Sequence, residues 1–262
     1  MATKSLKFLS QSQLQAFESD GFLVLDPMLN AQDIGIIRRS SEVLVDWAQT
    51  HRHPEFRIEL DGAATGHVAL KEISNVHRVG GAPWTELMAR SNVLDLFEDL
   101  LGPHVRFHHS KLLMKPPREA PGTPWHQGLA QGFVSLEEAG RLRALGPALT
   151  PEAVLIASIQ YYLDDATAAH GCLAVARGSH RLGLLEDPLN PDRIDRSRVE
   201  MPKITAGGAL LLHCLTLRSS PSNTSDRWQR IPVYTYFAST PEVALKPTGI
   251  NTDFGVSLRN IA

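Results

Sequence analysis

Cysteine is scarce in this chain. Cys172 and Cys214 are the two thiols among 262 residues, too few for a disulfide framework and in keeping with a reducing compartment. A dominant charge is lacking too. The 26 Lys and Arg against 28 Asp and Glu leave a net charge of -2, so no basic field exists to attract nucleic acid or an anionic membrane surface. No apolar run approaches the roughly 18 residues of a membrane span, and the opening MATKSLKFLSQSQLQAFESDG has no signal-peptide core. The expectation is a cytoplasmic protein with neither nucleic-acid nor membrane partners. Gly at 19 and Pro at 17 are ordinary usage, which excludes collagen-like repeats and disorder. With 43% apolar residues, the chain is long enough to bury a substantial core.

The rhythm of the chain divides it. Up to about residue 103 it reads mainly as helices. A short one follows Ser10 and Ser12 and stops at Asp20-Gly21, a second covers residues 31 to 49, and a third runs from about Pro83 to Leu101. Phe22 to Leu25 is the one strand foreseen there. From about 104 to 240 the pattern becomes short strands at Val105–His109, Leu112–Lys115, Val154–Leu163, Cys172–Ala176, Ala209–Leu217 and Ile231–Phe237. One helix, opened by a capping box at Ser135 to Glu138 and running to about Leu145, interrupts them. The tail spans 241–262. Helices first and strands afterwards predict an α+β, mainly β chain of one domain, 1–262, its C-terminal part a sandwich or barrel.

Three segments carry the chemistry-bearing residues. Thr123-Pro124-Trp125-His126-Gln127-Gly128 is the first. Asp164-Asp165-Ala166-Thr167, then His170-Gly171-Cys172-Leu173-Ala174-Val175 and Gly178-Ser179-His180, form the second. The third is Gly207-Gly208-Ala209-Leu210-Leu211-Leu212-His213, followed by Arg218, Ser220, Pro221, Asn223 and Ser225. In this order the chain resembles the phytanoyl-CoA dioxygenase family, from Gly21 to Tyr236. The resemblance implies a double-stranded β-helix, a cupin-like jelly roll with N-terminal and inserted helices. It also implies Fe(II)- and 2-oxoglutarate-dependent oxygenase chemistry on small hydrophobic molecules, often in natural-product metabolism.

The same resemblance sets three mismatches. The family's H-x-D iron motif falls on His126-Gln127-Gly128, which puts Gly128 in place of the carboxylate. With Ser220, Asn223 and Ser225 fixing the register, the distal iron-binding His falls on Arg218, and the Arg that binds the cosubstrate falls on Gln229. A guanidinium about 4 Å from a divalent cation is repelled by roughly 8 kcal/mol at an effective dielectric near 20. No metal and no cofactor are therefore expected. If the site were rebuilt, His126 and His213 would be its ligands, although residues five apart on a strand face opposite ways, and Fe(II) and 2-oxoglutarate would return.

Three functions remain open, and whether the chain is an enzyme is open with them. One is a non-catalytic partner subunit of an active iron oxygenase, paired with that homologue or with itself as a dimer. Another is a metal-independent isomerase or cyclase acting on a small hydrophobic metabolite. The third is an oxygenase or halogenase with a rebuilt site. His126 and Arg218 are the catalytic candidates, and Lys111, Lys115, Trp125, Gln127 and Gln229 the pocket candidates. Arg227 or Arg230 could replace the lost cosubstrate Arg. His108 and His109 are read as packing residues facing opposite ways, His180 as a loop anchor, and both cysteines as small buried hydrophobes.

Overall fold

The computed structural model describes residues 5–60, 68–118, 122–128, 156–185, 194–238 and 258. Helix α1 (Gln11–Asp20) opens with a reciprocal cap between Ser10 and Gln13. It closes on Gly21, whose φ of 79° is left-handed. A Cβ at Gly21 would stand 2.5 Å from His180 Nδ1 and from Thr216 Oγ1, so conformation and close approach both require glycine. Strand β1 (Phe22–Leu25) follows, then α2 (Ala31–Thr50), capped by Asn30 and Asp33 in the same reciprocal way.

The stretch predicted to be mainly helical then adds two strands, β2 (Phe56–Leu60) and β3 (Val68–Ser74). Helix α3 (Val76–Val79) leads into α4 (Ala82–Ala89) and α5 (Ser91–Leu101). The last two replace the single helix expected from Pro83 to Leu101. Arg90 breaks it with an extended ψ of 133°, and its guanidinium reaches both oxygens of Asp33 at 2.9 and 2.6 Å. That fork ties the break to α2.

Strand β4 (Arg106–Lys115) runs unbroken where two strands were expected. Then come β5 (Thr123–His126), β6 (Ile156–Tyr161), β7 (Ala174–Ala176), β8 (Val199–Glu200), β9 (Ala209–His213), β10 (Arg218–Ser220) and β11 (Gln229–Phe237). They form a seven-stranded sheet in the order β1-β9-β6-β11-β4-β3-β2 and a four-stranded sheet, β5-β10-β7-β8. Every strand pair is antiparallel. The expected helix at Ser135–Leu145, the start of the expected strand at Val154, and the tail 241–262 except Leu258 lie outside the described residues.

Alternation along β11 sorts the layers. Tyr234 and Tyr236 turn toward the helices, among Trp84, Leu87 and Phe97, and their hydroxyls donate to Trp84 O and Met88 O at 2.7 Å. Ile231 and Val233 turn the other way and pack with Leu210, Leu212, Tyr162 and, from the smaller sheet, Val175. The large sheet therefore has a helix-covered face and a face turned to the second sheet. Among the described residues, no helix is long and apolar enough to cross a membrane.

Candidate functional site

The space between the two sheets holds the predicted site, and strand register defines it. On β10, Arg218 stands directly opposite His126 of β5 on one side and Val175 of β7 on the other. Opposed residues of an antiparallel pair share a face, with Cβ atoms about 5 Å apart. Val175 belongs to the cluster between the sheets, so Arg218 and His126 also face inward. The register read from Ser220, Asn223 and Ser225 thus places Arg218 against His126.

His126 has a defined tautomer. Its Nδ1 lies 2.8 Å from Pro124 O. A carbonyl can only accept, so Nδ1 carries the hydrogen and Nε2 presents a bare lone pair. Burial first, then the Arg218 charge, lowers its pKa to about 4, and the ring is neutral at pH 7. Arg218 is itself buried. Its Nη1 finds the Thr216 carbonyl at 3.4 Å and, among the described residues, no carboxylate. Burial lowers the guanidinium pKa from its ordinary value to about 10.

The facing sheet contributes a polar inner surface. Pairing puts Gln229 opposite Lys115, Val233 between Gln160 and Lys111, and Thr235 between Ser158 and His109. Lys111 Nζ is neutralised by Glu72 at 2.9 Å, which also accepts from Ser74 Oγ at 3.0 Å. Lys115 Nζ donates to Gly171 O at 2.8 Å and Pro221 O at 2.6 Å, and burial lowers its pKa to about 8. Gly171, at φ 74°, makes this seat possible, since a Cβ there would lie 2.5 Å from Pro221 O and 2.9 Å from Lys115 Nζ. Gln229 Nε2 and Thr235 Oγ1 are buried without a hydrogen-bond partner among the described residues. Glu72, Ser158, Gln160 and Thr235 escaped the sequence reading. Their signal was a polar residue at alternate positions of otherwise apolar strands.

Several predicted residues stand elsewhere. Trp125 is adjacent to His126 on a strand, so it points to the outer side, against the cluster of Ala176, Ile194 and Leu217. Gln127 is buried and spends its amide on backbone. Its Nε2 donates to Gly183 O and Leu215 O, each at 2.7 Å, and its Oε1 accepts from Leu185 N at 2.8 Å. It stitches three segments together instead of lining the pocket.

His213 shares the helix-side face of β9 with Ala209 and Leu211. Its ring lies 6.4 Å from Phe17 and 5.4 Å from His180, so a His126/His213 pair does not form. Arg230 is committed to Asp164 at 2.8 and 3.0 Å on the helix side, unavailable as a substitute cosubstrate Arg. His108 and His109 do not divide between faces. The register skips one residue where Thr235 meets His109 and Tyr236 meets Phe107. Both rings are consequently buried, with Nδ1 atoms 2.7 Å apart. His180 is an anchor, its Nε2 3.1 Å from Glu18 O. Asn223 fixes its loop by donating to the carbonyls of Lys115, Pro116 and Arg227.

As donors to a divalent iron, these residues fit poorly. His126 Nε2 is one lone pair, and the group facing it is a cation. Gly128 offers no side-chain ligand. Among the described residues, no three His, Cys, Asp or Glu side chains gather closely enough to hold a metal ion.

Two facing antiparallel sheets with helices packed on one side define the cupin-like jelly roll of Fe(II)/2-oxoglutarate oxygenases. Residues 17–231 match the family described as Phytanoyl-CoA dioxygenase (PhyH), and the chain belongs to that family. It is similar to the L-proline trans-4-hydroxylase of Streptomyces griseoviridis, 27% identical over 261 residues, covering 87% of each chain. Its fold is similar to that of EctD from S. alaskensis in its apoform, with a TM-score of 0.72 at 21% identity, covering 91% of this chain and 80% of that one. Its fold is also similar to that of SnoN, the non-heme alpha ketoglutarate dependent epimerase from nogalamycin biosynthesis. There the TM-score is 0.64 at 17% identity, with 92% and 86% covered.

Proposed function

We propose that this family member has exchanged iron and 2-oxoglutarate for a small carboxylate-bearing metabolite, gripped by Arg218 in the pocket between the sheets. The observation that carries this reading is the placement of a buried guanidinium opposite His126, with only a backbone carbonyl beside it among the described residues. A buried charge without a counterion is costly, and a planar five-donor fork matches a carboxylate. Gln229, an uncharged amide whose Nε2 has no partner among the described residues, sits where the resemblance puts the cosubstrate Arg. Similarity to an L-proline hydroxylase supports a small carboxylic acid as the class of ligand, and similarity to SnoN supports a setting in specialised metabolism.

A non-catalytic partner of an active oxygenase would share the ligand losses and leave the pocket without an occupant. The unspent donors on Arg218 and Gln229 favour an occupant. The reaction class consistent with the site is non-redox, with His126 and Arg218 as the residues at the ligand.

The test is calorimetric titration of chelator-treated protein with Mn(II), an oxygen-inert stand-in for Fe(II), with and without 2-oxoglutarate. No binding up to millimolar metal is expected. Micromolar binding that 2-oxoglutarate strengthens would restore the oxygenase and overturn the proposal.

A further inference from the structure

The Arg218–His126 pair offers two opposite hydrogen-bonding characters side by side. Arg218 has donors alone. His126, with Nδ1–H spent on Pro124 O, has an acceptor alone at Nε2, and no described residue donates to it. The two side chains start from directly opposed strand positions on one face, so a ligand whose carboxylate docks on Arg218 brings its next atoms to His126. Those atoms must supply a hydrogen.

We propose that the site selects a 2-hydroxy acid, the carboxylate on the Arg218 guanidinium and the C2 hydroxyl donating to His126 Nε2. This rests on the reading of Arg218 as a carboxylate clamp. A 2-oxo acid would turn a carbonyl lone pair toward the Nε2 lone pair, leaving that nitrogen desolvated and unpaired. A 2-amino acid has hydrogens to give, but its ammonium would sit within a few ångströms of the guanidinium, and like charges repel there. The hydroxyl is the one substituent of the three that donates without adding a positive charge.

The surroundings indicate the rest of the molecule. Around the pair, Val175, Ile231, Val233 and Cys172 belong to the apolar cluster packed between the sheets, which favours a hydrocarbon or aromatic skeleton over a polar one. Lys111 is already paired with Glu72 and makes no claim on a second carboxylate. Gln229 Nε2, without a partner among the described residues, can donate to a neutral oxygen at the far end.

Matched acids differing only at C2 provide the test. Phenyllactate, phenylpyruvate and phenylalanine form one series, and 2-hydroxyglutarate, 2-oxoglutarate and glutamate a second. Each is titrated calorimetrically into the full chain with EDTA present throughout. The variants are Arg218→Met, Arg218→Gln, His126→Phe and His126→Asn, each checked for native circular dichroism. The hydroxy acid of at least one series should bind about tenfold tighter than its oxo counterpart, the value of one hydrogen bond. Both His126 variants should erase that preference, and both Arg218 variants should abolish binding of every acid. Equal binding of hydroxy and oxo acids, lost in the Arg218 variants, would overturn hydroxyl selection and leave the carboxylate clamp standing. Binding that persists in the Arg218 variants, or no binding of any acid at 10 mM (about a hundred times a typical metabolite KM), would overturn the clamp as well.

Discussion

Replacing Arg218 by Met should make the protein more stable. Methionine keeps an unbranched stem of similar reach and removes the charge. Burial lowers the guanidinium pKa by more than two units, to about 10. At about 1.36 kcal/mol per pH unit, the folded state is paying about 3 kcal/mol to keep this group charged. The sign follows from the proton balance. Below pH 10 the side chain is charged in both folded and unfolded chains, and the cost falls wholly on the folded one. It is therefore present in full at neutral pH and fades as pH rises through about 10 toward the ordinary guanidinium range.

For a chain of this size each kcal/mol moves Tm by about 2–4 °C, so Arg218→Met should melt roughly 6–12 °C above the wild type. Thermal unfolding followed by circular dichroism at pH 7 measures the gap, and repeats toward pH 11 should narrow it. A saturating carboxylate ligand should close it from the other side, because ligand at a hundredfold over Kd stabilises the wild type by about 2.7 kcal/mol and leaves the variant untouched. An Arg218→Met variant that melts lower than the wild type would refute the reasoning, since it would mean that a counterion of the protein's own holds the guanidinium.

Other perturbations separate the pocket from its scaffold. Gln127→Leu strands the buried Leu215 carbonyl and two half-buried backbone partners at Gly183 and Leu185 and should cost about 2–3 kcal/mol in urea unfolding, whereas a pocket-lining role would leave stability nearly unchanged. Trp125→Leu should lower stability by about 1–3 kcal/mol and leave acid binding as in the wild type, because the indole packs on the outer face. The His126 imidazole, its pKa lowered to about 4, should stay neutral by NMR down to pH 5. Because the unfolded chain takes up that proton first, stability should fall as pH drops from about 6.5 toward 4. In Arg218→Met the ring should titrate closer to its ordinary value. Finally, Gly128→Asp with Arg218→His rebuilds two of the three mismatched positions and should create Mn(II) binding measurable by calorimetry. Failure to bind would mean that the cavity no longer has room for a metal.

What the sequence disclosed and what it hid divide along a physical line. The opposition of His126 and Arg218 was legible through the family resemblance, in which Ser220, Asn223 and Ser225 fix the register that brings Arg218 to the distal-His position, and the strand pairing sets it opposite His126. Trp125 and Gln127 were misplaced because proximity to His126 in sequence was taken as proximity to the pocket. Strand alternation sends Trp125 outward, and Gln127 lies just past the strand end, where its amide is drawn to three backbone groups. The break at Arg90 and the register skip at His108 were hidden for a related reason. Each depends on a partner distant in sequence, Asp33 in the first case and the β11 strand in the second, and periodicity carries no information about such partners.

The same distinction explains why the mismatches at 128, 218 and 229 bear on function together. A single lost ligand in an otherwise preserved cavity would leave a hole that water or an anion fills, with the remaining ligands still poised for a metal. At Arg218, however, the resemblance puts a charge of the metal's own sign where a ligand is expected, and the strand pairing sets it opposite His126. That inverts the electrostatic demand of the cavity from cation to anion. Under the proposed carboxylate clamp Gln229 fits the inversion, because a site that binds its carboxylate at 218 would have no second anion to neutralise at 229. An uncharged donor there costs less to bury than the arginine it replaces. On the proposed reading, the uncharged residue at 229 and the cation at 218 are one change in ligand polarity, which the Arg218→Met and Mn(II) measurements test together.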